Sequence, residues 1–172
     1  MADRVPASIR IGGTISAATY AELLVVIAFE GLSEEWGGAY FDPASRVIGE
    51  PLALFDESCA WGKIDTLESF CVENSLPFVR WAGSYPGEWS PERLVFRGSG
   101  AVDSYMVDES DRVLLDRRLL ADLGSLEAAF AYFDAAGFEV PPLAVEGDPV
   151  PEDPVSPGAS DDETEYDREE RQ

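Results

Sequence analysis

The sequence predicts an α+β domain, with a mixed, largely antiparallel sheet of about five or six strands and three to four helices packed on it. Three observations predict this class. Short apolar runs of alternating polarity recur between turn residues, amphipathic stripes at helical spacing separate some of them, and a Gly-Ser-Gly turn joins two strand-like segments directly. The chain of 172 residues is long enough to bury a hydrophobic core without disulfides.

Two strand–helix units are predicted in the first half of the chain. Alternating apolar residues indicate two short strands, at 8–11 and 51–55. A helix is predicted over 17–30, between an N-cap at Ser16 and a C-cap at Gly31. A second amphipathic helix is predicted over 64–74, with Asp65 or Gly62 as its cap. The two units resemble each other faintly, and one explanation is a duplicated βα unit.

The second half is predicted to hold most of the sheet. Apolar runs typical of strands lie at 76–81, 93–97, 102–107 and 112–115. The turn at 98–100 implies antiparallel pairing of the strands on either side of it. A short helix is predicted over 117–123 and a final one after an N-cap at Ser125. The apolar face expected for that final helix is formed by Leu126, Ala129, Phe130 and Phe133.

The composition changes near residue 146. From there on, prolines are spaced among acidic residues and few side chains could be buried. Ordering such a segment would cost backbone entropy without an apolar return. One domain is therefore predicted over 1–145, followed by a flexible Pro-, Asp- and Glu-rich tail over 146–172.

The charge is the most unusual property of the chain. It has 34 acidic and 12 basic residues, a net charge of −22. Residues 1–145 alone carry 23 acidic and 10 basic side chains, so the predicted domain has a charge of −13. A field of this sign repels nucleic acid and anionic membranes and attracts basic protein surfaces. The alternative is that the acidity only maintains solubility or reflects a compositional bias of the host.

Several kinds of chemistry are disfavoured. The chain has no histidine, which excludes His-dependent triads and His-ligated zinc. Cys59 and Cys71 are too far apart for a CxxC pair, and burial in the core is the expected state of Cys71. The strand–Gly12-Gly13–helix segment matches no phosphate-loop pattern, so a structural turn is expected there. We therefore expect no enzyme, no cofactor and no metal site.

The location is predicted from what the sequence lacks. Residues 1–6 carry no apolar signal segment, and the longest apolar run, 23–29, is far shorter than the ~20 residues of a membrane helix. Two cysteines without a disulfide framework fit a reducing compartment. The expected location is cytoplasmic, with no direct contact to nucleic acid or membrane and an unknown oligomeric state.

The candidate partner-binding residues are the densest carboxylates of the domain and the aromatic residues of one long loop. They are Asp56, Glu57, Tyr85, Glu88, Trp89, Asp108, Glu109 and Asp111. Aromatic side chains in loops are favoured interface anchors. The alternative for the carboxylates is that they are solvated turn residues, and for the aromatic side chains that they cover the edge of the core.

Three functions follow in order of preference. The first is a non-catalytic inhibitor or modulator that imitates the charge of nucleic acid and binds a basic, nucleic-acid-handling protein. In composition alone, the chain resembles small acidic anti-restriction and anti-CRISPR proteins. The second is an adaptor that uses the aromatic loops and the acidic tail. The third is an enzyme that uses carboxylates and a divalent cation.

Overall fold

A five-stranded antiparallel sheet in the order β3-β1-β4-β5-β6 forms the centre of the computed structural model, which describes residues 3–149. The strands are β1 (Arg4–Ile11), β2 (Gly13–Ile15), β3 (Leu52–Ala60), β4 (Phe78–Ala82), β5 (Glu92–Phe96), β6 (Asp103–Met106) and β7 (Leu143–Val145). The helices are α1 (Ala17–Glu30), α2 (Asp65–Glu73), α3 (Arg117–Leu123) and α4 (Leu126–Ala136). The predicted α+β class is confirmed, and the parallel pairing is confined to the separate pair β2–β7.

The two ends of α1 are determined by the capping residues that the sequence predicted. The Ser16 hydroxyl accepts a hydrogen bond from the backbone N–H of Thr19 at 3.1 Å. At the other end Gly31 adopts the left-handed conformation, with φ of 69°. Residues other than glycine rarely adopt this backbone conformation, so the helix ends there. The predicted helix over 17–30 is confirmed.

The first face of the sheet carries the larger part of the core. Alternate residues of β1, such as Ile9 and Ile11, point to this face and are fully buried. Leu23 of α1 and Leu67 of α2 belong to the same buried cluster, so both helices pack on this face. Burial of each such side chain contributes roughly 1.5–3 kcal/mol. The two predicted strand–helix units thus lie side by side, with β1 against β3 and α1 against α2.

The second face is only partly covered. Val79, Val95 and Tyr105, from β4, β5 and β6, pack against Ala136 and Tyr132 of α4. Over the β1–β3 half a trough of about 440 Å³ remains open. Its lining residues include Ser8, Arg10, Trp36, Phe55 and Trp81. The fold therefore has three layers over one half of the sheet and two over the other.

The chain returns to its beginning through the parallel pair β2–β7, in which Gly13 pairs with Leu143. Two residues of the predicted tail take part in this closure. Glu146 donates its backbone N–H to Ile15, and Asp148 forms a bidentate ion pair with Arg46. The folded domain therefore extends at least to Asp148, beyond the predicted boundary at residue 145. The remainder of the tail, from residue 150, lies outside the described residues.

The Arg46–Asp148 pair leads to a prediction about pH. The Arg46 guanidinium is the largest cause of a lowered pKa of Asp148. A carboxylate with a lowered pKa stabilises the fold above its unfolded pKa, about 4, and loses that contribution as the pH falls through its folded pKa. Asp148→Asn should therefore destabilise the protein at pH 7, and its difference from wild type should shrink below about pH 4. Urea unfolding of both proteins across pH 2.5–7 measures this difference in the free energy of unfolding. The control is Asp134→Asn, which changes an exposed carboxylate. A difference between Asp148→Asn and wild type that does not change with pH would contradict the prediction.

Three local predictions are corrected by the structure. Asp56 and Glu57 were expected in a turn, but β3 continues through them to Ala60 because β1 pairs with it along its length, around a bulge. Residues 112–115 form only a single bridge, between Val107 and Val113, and not a strand. Neither Asp65 nor Gly62 caps α2.

The start of α2 is instead held by one carboxylate from α1 and one from its own first turn. Glu30, the last residue of α1, accepts a hydrogen bond from the backbone N–H of Thr66 at 3.0 Å. Glu68 accepts one from the backbone N–H of Ile64 at 3.2 Å. Negative charge near a helix N-terminus is favourable because of the helix dipole. The contact from Glu30 also ties the end of α1 to the beginning of α2.

The packing face of α4 also differs from the prediction. Ala129 and Ala136 are buried against the sheet, whereas Leu126, Phe130 and Phe133 point outward. The side chains of Tyr132 and Ala136 contact residues of β4, β5 and β6, so the packed face includes both small and large residues. The helix thus presents an apolar stripe to solvent.

Candidate protein-binding surface

The predicted carboxylates of the 108–111 turn are used to hold the turn together. Asp108 forms an ion pair with Arg112 at 2.7 Å, and Asp111 forms one with Arg93 of β5. Glu109 accepts hydrogen bonds from the backbone N–H and the hydroxyl of Ser84. Backbone N–H donation from Arg112 is the largest cause of a lowered pKa of Asp108. These three carboxylates therefore serve local structure, and two of them are neutralised by arginine.

The loop between β4 and β5 lies beside that turn and groups its aromatic side chains there. The Tyr85 and Trp89 rings stack with centroids 5.2 Å apart, and Trp61 lies 6.0 Å from Trp89 on the other side. We call these three residues the aromatic ledge. A hydrogen bond to Asp3 is the largest cause of a raised pKa of Tyr85. The predicted anchors thus lie together, and the exposed Glu88 lies in the loop between them.

Trp61 is the member of the ledge that sequence reasoning did not select. It adopts φ of 58°, followed by Gly62 at 64°, in the tight turn after β3. A positive φ is rare for a large side chain and costs of order 1–2 kcal/mol. The turn holds half of the Trp61 side chain in solvent, at 51% exposure. No spacing in the sequence indicates this conformation.

Asp56 and Glu57 lie away from the 108–111 turn, on the edge strand β3. Asp56 accepts a hydrogen bond from the backbone N–H of Ser58 at 2.8 Å. The space beside Gly37 is bounded by the Glu57 carboxylate. These two residues therefore lie at the β3 edge of the sheet, next to the segment after α1.

The two helices on the first face of the sheet carry carboxylates but no bases. Helices α1 and α2 contain no lysine or arginine. In the whole sequence no base lies between Arg10 and Arg46 or between Lys63 and Arg80. Two bases border β3 in the sequence: Arg46 is paired with Asp148, and Lys63 lies just before α2. We call α1 and α2 together the anionic layer; its acidic residues are Glu22, Glu30, Asp65, Glu68 and Glu73.

Other bases lie around β5. Arg93 is on β5 and Arg97 directly follows it, whereas the edge strand β3 carries none. Arg97 forms an ion pair with Asp103 of β6 at 2.5 Å. Ion pairing thus neutralises carboxylates around β5 and β6. In the anionic layer Glu68 is paired with Arg80, and the other four carboxylates form no ion pair with a described residue. The spacing of lysine and arginine in the sequence is a signal that could have identified this surface.

Apolar side chains are exposed within the anionic layer. Val25 and Phe29, one turn apart on α1, are 70% and 77% exposed. Tyr40, also 77% exposed, lies beside Gly31 at the end of the same helix. An apolar centre with a charged rim is the usual anatomy of a protein interface.

A second cavity lies next to the aromatic ledge. It has a volume of about 330 Å³, and its lining includes Trp61, Lys63, Arg80, Trp89 and Glu92. Arg80 is 3% exposed and its Nε and Nη2 atoms contact Glu68 and Glu92 at 3.0 and 2.8 Å. Both carboxylates are thereby held in place, and the floor of this cavity is close to neutral.

The thiols and the glycine pair have structural surroundings. Burial raises the pKa of the Cys59 and Cys71 thiols to about 12, so both are protonated near neutral pH. The backbone N–H groups of Gly12 and Gly13 donate to Pro77 and Pro142 at 3.0 and 3.1 Å. Both N–H groups are therefore engaged within the fold and are not free to bind a phosphate. Residues 3–149 contain no group of three or more Cys, Asp or Glu side chains suited to hold a metal ion.

Comparisons with known proteins found no matching family model, no matching curated protein and no matching solved structure. Within the described part of the chain, no helix combines the length and apolar composition needed to cross a membrane. The candidate binding surfaces are therefore identified from the geometry of this chain alone. They are the anionic layer with its exposed apolar side chains and the aromatic ledge beside the 108–111 turn.

Proposed function

We propose that the protein is a non-catalytic binding module whose anionic layer engages a basic protein surface. The observation that carries this proposal is the absence of lysine and arginine from α1 and α2. Four carboxylates on two packed helices, all except the Glu68 that Arg80 neutralises, form a charge array of one sign on a rigid support. Such an array attracts and orients a basic partner before contact is made.

The proposed partner is a protein that handles nucleic acid. Its binding groove would be lined by lysine and arginine side chains that normally contact phosphates. An acidic protein that occupies the groove competes with the nucleic acid and so acts as an inhibitor or modulator, as in anti-restriction or anti-CRISPR proteins. Val25 and Phe29 would supply the apolar contacts that slow dissociation, because buried apolar anchors contribute most to affinity.

The aromatic ledge favours a second candidate function, an adaptor. Trp61 is held half exposed in a strained turn, and Tyr85 and Trp89 stack beside it. Tryptophan and tyrosine are enriched among residues that dominate interface energies. In this alternative the ledge recognises the partner and the acidic tail recruits a second, basic protein.

Charge removal with a matched control tests the first proposal. We expect Glu22→Gln/Asp65→Asn/Glu73→Gln, which removes three carboxylates from α1 and α2, to weaken partner binding at least tenfold. The control, Asp122→Asn/Glu127→Gln/Asp134→Asn, removes the same charge from α3 and α4 and should have a much smaller effect. Binding is measured by affinity capture and mass spectrometry to identify the partner, then by titration from 50 to 500 mM salt.

The salt dependence and a ledge variant separate the two functions. Binding through the anionic layer should weaken steeply with salt and survive Trp61→Ala/Trp89→Ala. Binding that is insensitive to salt, or equal losses in the two charge variants, would contradict the proposal. Loss of binding in the ledge variant alone would support the adaptor instead.

A further inference from the structure

The outer face of α4 is an apolar stripe that contacts no described part of the chain closely enough to be buried. Leu126, Phe130 and Phe133 are 69%, 59% and 39% exposed. Their spacing of four and three residues places them on one side of the helix. Leu120 of the neighbouring α3 is also exposed, at 47%. We call these four side chains the α3–α4 patch.

The same helix already packs a neighbouring side on the sheet, about a quarter turn around the helix axis from the patch. Tyr132 and Ala136 form that packed side. The apolar stripe of α4 is therefore wider than the part that is buried, although the apolar stripe of a helix normally faces the core. Contiguous apolar patches of several large side chains on a protein surface mark interaction sites. The α3–α4 patch is therefore expected to be covered in the working protein.

The charges around the patch differ from those of the anionic layer. Arg117 and Arg118 begin α3 and form no ion pair with another described residue. Three carboxylates lie on the same two helices: Asp122, Glu127 and Asp134. Helical spacing places Arg117 beside Leu120, and Glu127 and Asp134 beside Phe130. Because α3 contacts α4, the patch has both signs of charge at its rim.

We propose that a second copy of this chain covers the patch and that the protein is a symmetric dimer through α3 and α4. In a two-fold interface the same surface meets itself, so it must be self-complementary. A mixed-sign rim meets this requirement, because the bases of one protomer can face the acids of the other. The four helices of two protomers would form a bundle around the apolar side chains.

Other occupants fit less well. A strongly basic partner is attracted to the anionic layer, where the carboxylates are not offset by arginine. An acidic partner without exposed bases has nothing to pair with the carboxylates around the patch, whereas a second copy brings its own Arg117. The anionic layer itself cannot be the dimer contact, because two all-acidic surfaces repel each other. The patch is the surface where two copies can approach, and dimerisation leaves the anionic layer of each protomer exposed for a separate partner.

Sedimentation equilibrium of the full chain from 1 to 200 µM tests the proposal. We expect the wild-type protein to be dimeric in this range and Phe130→Ser to raise the dimer dissociation constant at least tenfold. The matched control is Phe29→Ser, which removes an exposed phenylalanine from α1 and should leave the dimer intact. Leu126→Ser is a second variant, and circular dichroism shows that each variant is folded.

Salt gives an independent readout. Because each protomer carries a large negative charge, screening should strengthen the dimer between 50 and 500 mM salt. Binding of a basic partner by the anionic layer should weaken over the same range, so the two proposals fail separately. A wild-type protein that remains monomeric at 200 µM and 500 mM salt would overturn the dimer, as would equal weakening by Phe29→Ser and Phe130→Ser.

Discussion

Arg80→Ala is expected to lower the free energy of unfolding by about 3–5 kcal/mol. Arg80 lies in β4 between Ile9 of β1 and Leu94 of β5, and it is the only charged residue among 3–149 that is buried. Its guanidinium holds Glu68 at 3.0 Å and Glu92 at 2.8 Å. Without it, the Glu68 carboxylate, which is largely buried, loses its counter-charge.

Urea unfolding at pH 7 measures this loss, and a double variant tests its cause. Arg80→Met/Glu68→Gln removes both charges and keeps an acceptor for the backbone N–H of Ile64. It should recover more than half of the lost stability, because a buried ion pair can often be replaced by neutral groups at little cost. A single variant as stable as wild type, or a double variant less stable than the single one, would show that the pair has no such role.

Gly12→Ala is expected to destabilise the protein by about 3 kcal/mol, because overpacking a tight contact forces the backbone to move. A Cβ atom at this position would lie 1.8 Å from the carbonyl oxygen of Pro141 and 2.8 Å from its carbonyl carbon. Backbone atoms cannot rotate away as a flexible side chain can. The substitution should therefore push the segment before β7 off the sheet.

The control for this prediction is Gly49→Ala. Gly49 has φ of 86° but nothing within 4 Å of a Cβ atom, so its cost should be conformational only, about 1 kcal/mol. Thermal unfolding of both variants separates steric from conformational effects. Equal losses at the two positions would contradict the contact with Pro141.

The parts of the fold that could be predicted from the sequence are those that depend on neighbouring residues. The limits of α1 follow from Ser16 and Gly31, whose side chain and backbone preference act within one helical turn. The short α3 ends at Gly124 for the same reason. Alternating apolar residues also identified the five strands of the main sheet, because each has one face in the core.

The parts that could not be predicted depend on distant partners. Asp56 and Glu57 have the composition of a turn, yet β1 extends β3 through them. Helical spacing is compatible with more than one apolar side of α4. The sequence does not show which of these sides will contact β4–β6. The ion pairs of Arg80 could not be predicted either, because Glu68 and Glu92 come near it only in the folded chain.

The candidate binding surface likewise has features that the local sequence shows and features that depend on distant residues. Tyr85 and Trp89 do lie together, but their third neighbour, Trp61, comes from a different loop. The 108–111 carboxylates are dense in sequence and largely neutralised in space, since Arg93 reaches Asp111 from another strand. By contrast, the lack of bases in α1 and α2 is readable directly from the printed sequence. Density of acidic residues in the sequence therefore does not show which carboxylates lack a counter-charge, because the arginine partner can come from another strand.

The pairing of β2 with β7 has a consequence for synthesis of the protein on the ribosome. Gly13 is made near the beginning and its partner Leu143 near the end. Leu143 is fully buried in the main core, so that core has a gap until this residue emerges. Contacts between such distant residues form slowly. The nascent chain is therefore exposed to aggregation and to chaperone binding until almost all of the domain has been translated.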